Sequence, residues 1–130
     1  MQKIKKNSQK LVEEANTLIK TLKVVDAIRL LENDKYLFID LRDYRELIKD
    51  GKIPGSISCP RGMLEFWIDP ESPYYKKKLD LSKIFILYCA SAWRSALAAK
   101  TLLEMGLCNV FHLEGGFENW KNSHGPIDTS

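Results

Sequence analysis

Two runs in this chain, Tyr36-Leu37-Phe38-Ile39 and Ile84-Phe85-Ile86-Leu87-Tyr88, are apolar at every position. A strand with one wet face alternates apolar and polar residues, so an unbroken run predicts a strand covered on both faces. Asn109-Val110-Phe111-His112-Leu113 reads as a further strand, and Ile57-Ser58-Cys59 as a short one. Segments of helical period lie between them, over 26–32, 44–49 and 95–105, with a last short helix over 117–121. Gly51 and Gly106 close two of these helices. Strands alternating with helices predict an α/β fold, a parallel sheet flanked by helices on both faces. An extra N-terminal helix is expected over 8–22, with Ser8 as its cap and Leu11, Ala15, Leu18, Ile19 and Leu22 at helical spacing. Lys23-Val24-Val25 reads as a short strand. The organisation expected is a helical extension over 1–23 and one domain over 24–130.

Composition removes several classes of function. The net charge of +3 is mild, and no basic stripe interleaves with aromatics, which argues against nucleic-acid binding. Lys76-Lys77-Lys78 reads as a solvated loop. No run approaches the roughly 18 apolar residues of a membrane span, and the polar, basic start lacks an apolar leader core. A cytoplasmic location is expected, with no membrane partner. The three cysteines, Cys59, Cys89 and Cys108, show no disulfide spacing. No CxxC pair occurs, and His112 and His124 are the two histidines, so no metal site is expected.

Cys89 stands apart from the other cysteines. It follows a buried strand and precedes a helix, next to backbone N–H groups that the helix leaves unpaired. That setting favours the thiolate, the reactive form of cysteine. The segment Cys89-Ala90-Ser91-Ala92-Trp93-Arg94 can curl into a nest of N–H groups that binds an anion. Small side chains at Ala90, Ser91 and Ala92 allow close approach, and Arg94 brings fixed positive charge. A persulfide on Cys89, with its anionic terminal sulfur, fits such a nest. Trp93 either walls the mouth of the site or packs on the following helix, and Ser95 reads as the helix N-cap. Cys59 reads as core and Cys108 as incidental. In parallel sheets reactive groups gather at the carboxyl ends of strands. Asp40 and Arg42, Cys89, and Glu114 with Gly115 and Gly116 all follow strand ends. Asp40 and Arg42 can pair with each other or with the thiol loop. The connection over 60–81 is long and rich in aromatics, with Phe66, Trp67, Tyr74 and Tyr75, and is a candidate for setting access to the site.

These segments together resemble the rhodanese-like family of sulfurtransferases, from Val24 to Pro126. Ile39-Asp40-Leu41-Arg42 with Glu46 is similar to the family's Asp-x-Arg segment. Gly51-Lys52-Ile53-Pro54-Gly55-Ser56 is similar to its Gly-His-Ile-Pro-Gly-Ala turn. Cys89 to Ser95 is similar to its active-site Cys-x4-Arg-Ser/Thr loop, and Leu113-Glu114-Gly115-Gly116-Phe117 with Trp120 to its closing Gly-Gly-x3-Trp segment. Pro60 to Pro70 resembles an insertion found in one bacterial group of single-domain members. The resemblance implies that Cys89 accepts a sulfane sulfur from thiosulfate, a thiosulfonate or a protein persulfide, and passes it to a thiol or cyanide acceptor. Residues 90 to 94 would donate to the persulfide and Arg94 would hold the anionic donor, without metal or organic cofactor. Two positions depart from the pattern. Lys52 replaces a His, and Ala92 replaces a Gly, which costs on the order of 1 kcal/mol if that residue has positive φ.

Two other readings stay open. Cysteine phosphatases and arsenate reductases also use a Cys…Arg anion loop, but the phosphatases place five residues between Cys and Arg, whereas here there are four. A non-catalytic rhodanese-like module that binds a protein is the other. The helix before Val24 either packs on the domain or supports a homodimer.

Overall fold

A computed structural model describes residues 1–130. Its centre is a five-stranded, wholly parallel sheet of β1 (Lys20–Leu22), β2 (Tyr36–Asp40), β3 (Ile57–Ser58), β4 (Ile84–Tyr88) and β5 (Val110–Leu113). The order across the sheet is β1-β5-β4-β2-β3. The helices are α1 (Ser8–Leu18), α2 (Val24–Ile28), α3 (Tyr44–Asp50), α4 (Leu64–Ile68), α5 (Trp93–Glu104) and α6 (Gly116–Asn122).

The unbroken apolar runs are the two central strands. On β4, Phe85 and Leu87 point into a core with Ile39, Leu64 and Ile68 of α4, and Ala98, Ala99 and Leu102 of α5. Ile86 and Tyr88 point the other way, into a second core with Phe38, Val24 and Ala27 of α2, and Phe117 and Trp120 of α6. Each strand residue therefore meets a helix on one side or the other, and the run has no wet face. α1 packs against α5 through Val12, Ala15 and Ala96.

The N-terminal region differs from the sequence reading. The cap is Asn7, whose Oδ1 accepts from the Lys10 N–H at 2.8 Å, in place of Ser8. The helix stops at Leu18, and Leu22 lies on β1, paired with Leu113 of β5. Val24 and Val25 belong to α2, not to a strand. Thus residues 20–22 of the segment read as a helical extension form an edge strand of the main sheet. Their Lys-Thr-Leu sequence has no apolar run, and pairing with β5 overrides local pattern. Within 60–81, Leu64 and Ile68 bury one face of α4. Phe66 and Tyr74 meet edge to face at 6.5 Å, and the Lys76 ammonium lies 5.2 Å from the centre of the Trp67 ring.

Candidate active site

Cys89 leaves β4 at the carboxyl edge of the sheet and is almost fully buried, at 1% exposure. Ala90, Ser91 and Ala92 form the loop, and α5 begins at Trp93. Ala92 holds φ 74° and ψ 1°, the left-handed region, and this one residue reverses the chain into the helix. The N–H groups of Ala90, Ser91 and Ala92 donate to no other group of the chain. The backbone N–H of Ser95 donates to Cys89 Sγ at 3.4 Å. Sulfur, uncommitted donors and the N-terminal end of a 12-residue helix are thus gathered in one place.

Ser95 is not the N-cap. It lies in the first turn of α5, fully buried, with its Oγ 3.8 Å from Cys89 Sγ and 3.0 Å from Nδ1 of His112. The helix starts earlier than 95 because Ala92 takes the turn, so the hydroxyl faces the sulfur and not the helix end. Trp93 stands half exposed beside the loop and so does not bury itself on α5.

Arg94 forms a two-pronged ion pair with Glu46 of α3, at 2.8 and 2.9 Å. Glu46 is set in place by the capping box of α3, in which it accepts from the Asp43 N–H at 2.9 Å. The bond to Glu46 raises the guanidinium's pKa, with a smaller contribution from the Cys89 sulfur. The same bond holds the Glu46 carboxyl below the usual range. The pair neutralises part of the charge that Arg94 brings to the loop.

The far side of the loop is tied to α6. Phe117 N–H donates to Cys89 O at 2.8 Å, and Glu118 N–H to Ala90 O at 3.1 Å. Gly116, with φ 65°, makes this approach feasible: a Cβ there would lie 2.6 Å from both carbonyl oxygens. Asp40 and Arg42 pair with each other, with Arg42 Nε and Nη2 donating to the carboxylate at 3.0 and 2.8 Å, both groups buried. Arg42 also donates to Gly51 O at 2.7 Å and lies 4.2 Å over the Phe117 ring. Tyr88 Oη donates to Asp40 at 2.8 Å and accepts from the Ile53 N–H at 3.1 Å. Burial, then the Asp40 carboxylate, pushes the Tyr88 phenol up. Asp40 and Arg42 therefore brace the turn at 51–56, and neither side chain bonds to the thiol loop. Cys59 is core, and burial pushes its thiol up to about 12, while Cys108 is exposed.

Thr21 and His112 do not stand out as site residues in the sequence, whereas Glu46 enters only through the family-like segment and Gly116 only through that resemblance and its place after a strand end. Glu46 carried a signal, three residues after Asp43 in a capping-box spacing. His112 carried another, a polar ring in an otherwise apolar strand.

A thiol beside uncommitted backbone donors at the carboxyl edge of a parallel sheet defines a class of α/β proteins with a cysteine loop at the strand ends. Within that class the chain belongs to the rhodanese-like family: the model of the rhodanese-like domain matches residues 23–123. Thiosulfate sulfurtransferase GlpE of Coxiella burnetii is 26% identical over 113 residues, covering 87% of this chain and 97% of that protein. The mouse thiosulfate sulfurtransferase/rhodanese-like domain-containing protein 3 is 29% identical over 96 residues, which are 70% of this chain and 61% of that protein. Among solved structures, a protein of unknown function from Rhodopseudomonas palustris, described as a possible tyrosine phosphatase, is 51% identical with a TM-score of 0.93, covering 98% of both chains. No helix is long and apolar enough to cross a membrane.

Proposed function

We propose that the chain is a sulfurtransferase that works through a persulfide on Cys89. The Cys89 thiolate attacks the outer sulfur of thiosulfate, a thiosulfonate or a protein persulfide. A new S–S bond forms and the old one breaks, its electron pair leaving with sulfite, a sulfinate or a thiolate. The terminal sulfur of the persulfide carries the negative charge. A thiol or cyanide acceptor then attacks that sulfur and releases the Cys89 thiolate. The chemistry calls on no metal or organic cofactor. The observation that carries this reading is the small loop: three uncommitted N–H groups and Arg94 within five residues of the sulfur. Ala90, Ser91, Ala92 and Trp93 shape the substrate site, Arg94 holds the anionic donor, Ser95 contacts the sulfur, and Asp40 with Arg42 supports the frame. Because Glu46 compensates Arg94, persulfides of single charge suit the site at least as well as doubly charged thiosulfate. The proposed setting is the cytoplasm, where free thiols supply acceptors.

The test is intact-protein mass spectrometry after incubation with thiosulfate, then cyanide. A gain of one sulfur, discharged as thiocyanate and missing in Cys89→Ser, supports the reading. The Rhodopseudomonas palustris protein gives a specific reason to assay phosphatase activity alongside. The four-residue spacing argues against phosphoryl transfer, because a shorter loop encloses one sulfur more closely than a tetrahedral phosphoryl group. Phosphate release from p-nitrophenyl phosphate, with no sulfur gain from any of the three donors, would reverse the assignment. Neither reaction would leave a protein-binding module.

A further inference from the structure

Behind Cys89 a chain of side-chain contacts runs from the loop across α5, β5 and β1. Cys89 Sγ is 3.8 Å from Ser95 Oγ, Ser95 Oγ is 3.0 Å from His112 Nδ1, and His112 Nε2 is 3.2 Å from Thr21 Oγ1. Ser95 and His112 are buried, and Thr21 lies exposed on the edge strand β1. The sheet register sets this line, because Thr21 and His112 are directly paired on β1 and β5. Leu87 of β4, paired with His112 on its other flank, is apolar. Both ring nitrogens thus meet hydroxyls, from β1 and α5, and no charged side chain bonds to the ring. The titratable group at the end of the line is Cys89, with Arg94 beyond it. Burial alone pushes the imidazole down to about 4, so it is neutral at physiological pH.

A neutral imidazole has one N–H donor and one bare acceptor nitrogen. Between two hydroxyls this leaves two self-consistent arrangements. With Cys89 as a thiol, S–H donates to Ser95, Ser95 donates to Nδ1, and Nε2–H donates to Thr21. With the sulfur anionic, every bond reverses: Thr21 donates to Nε2, Nδ1–H donates to Ser95, and Ser95 donates to the sulfur. The second arrangement holds one proton fewer, and no heavy atom has to move. Any mixture sets two donors or two acceptors against each other at one contact, which is costly when buried.

We propose that His112, held by Thr21, is a positioning residue whose ring tautomer turns the Ser95 hydroxyl toward the anionic sulfur of Cys89. The proposal rests on Cys89 being the reactive thiol, and it holds whether the group transferred is sulfur or another. Its effect is to stabilise negative charge on the sulfur from the side opposite to substrate, in the thiolate before transfer and after it.

The test uses the full chain on a Cys108→Ser background, where buried Cys59 stays protonated and Cys89 alone reports. The His112 tautomer is followed by two-bond 1H–15N correlation in histidine-labelled protein while the alkylation rate of Cys89 by iodoacetamide is measured against pH. The proton is expected on Nε2 at the acid end and on Nδ1 once alkylation reaches its plateau. In His112→Leu the neutral-pH alkylation rate should fall roughly tenfold, the worth of one hydrogen bond to a charged group. His112→Asn should recover most of that loss, since its amide N–H replaces Nδ1–H. Thr21→Val, a surface change of the same shape, should abolish the tautomer switch even if His112→Leu fails to fold. A tautomer that stays fixed while Cys89 ionises would overturn the proposal, as would superposable alkylation profiles of wild type and Thr21→Val. A protein that switches tautomer but gains no sulfur would instead overturn the sulfurtransferase reading alone.

Discussion

Ala92 carries the conformational cost of the active loop. An L-residue with a Cβ at φ 74° loses on the order of 1–2 kcal/mol relative to the right-handed region. Glycine removes that strain and adds about 0.5–1 kcal/mol of unfolded-chain entropy. Ala92→Gly should therefore raise stability by about 0.5 kcal/mol, read as a higher urea midpoint, and an unchanged or lower midpoint would show the loop relaxed with alanine. At this scale the sequence was legible where chemistry and chain run together. Cys89 and Arg94 stand out because the whole loop is local. Ser95 was misread because a hydroxyl at an expected helix start looks like a cap, and only the turn at Ala92 places it inside the helix. His112 and Thr21 could not be found that way: their partners lie 17 and 91 residues distant, brought together by strand register.

The short elements act as clamps on the loop from both sides. On one side α6 donates to the carbonyls of Cys89 and Ala90, and Gly116 is the residue that lets it approach. In Gly116→Ala the new methyl would meet two backbone oxygens at 2.6 Å in a positive-φ position, so α6 must withdraw and its bonds stretch. A loss of about 2–3 kcal/mol of stability and a larger loss of kcat than of substrate binding are expected, from strain plus a broken loop anchor. Full activity in a folded Gly116→Ala protein would show that α6 does not shape the loop. On the other side α3 presents Glu46 to Arg94. That pair is about a third exposed, so Glu46→Gln should alter stability by less than about 1 kcal/mol. It leaves the guanidinium uncompensated, and the KM for dianionic thiosulfate should fall several-fold; a rise would mean that Glu46 mainly orients Arg94. The strands buried on both faces, β2 and β4, were plain in the sequence because burial demands apolar residues throughout. The edge strand β1 was not, because most of its side chains face water and its strand character comes from pairing with β5.

For the molecule as a whole, the buried imidazole beneath the thiol loop makes stability depend on acid pH. His112 is nearly inaccessible, at 3%, and its pKa falls from 6.5 to about 4 because burial disfavours the charged ring. In the unfolded chain the ring returns to its ordinary value. Between about pH 6.5 and 4 the unfolded state therefore takes up a proton that the folded state refuses, and stability falls as pH falls. The contribution is complete above the unfolded value and lost by the time the folded value is reached. A shift of this size corresponds to on the order of 3 kcal/mol, a substantial part of the roughly 5–15 kcal/mol that holds a domain of this kind together. The carboxylates of Glu46, Asp43 and Glu14 are also held low, each first by a hydrogen bond to a basic side chain. They are largely exposed and titrate below their ordinary values of 3.8 to 4.5, so the upper part of the window belongs to the histidine. Urea unfolding of wild type should show a midpoint that declines steadily from about pH 6.5 to 4.5. His112→Asn, which keeps the donor to Ser95 but cannot titrate, should hold its midpoint across that range and lose stability only below it. Equal decline in both proteins would locate the acid sensitivity elsewhere and leave the ring without an energetic role in the fold. Flat behaviour in the variant alone would mean that His112 sets the lower pH limit of the folded protein.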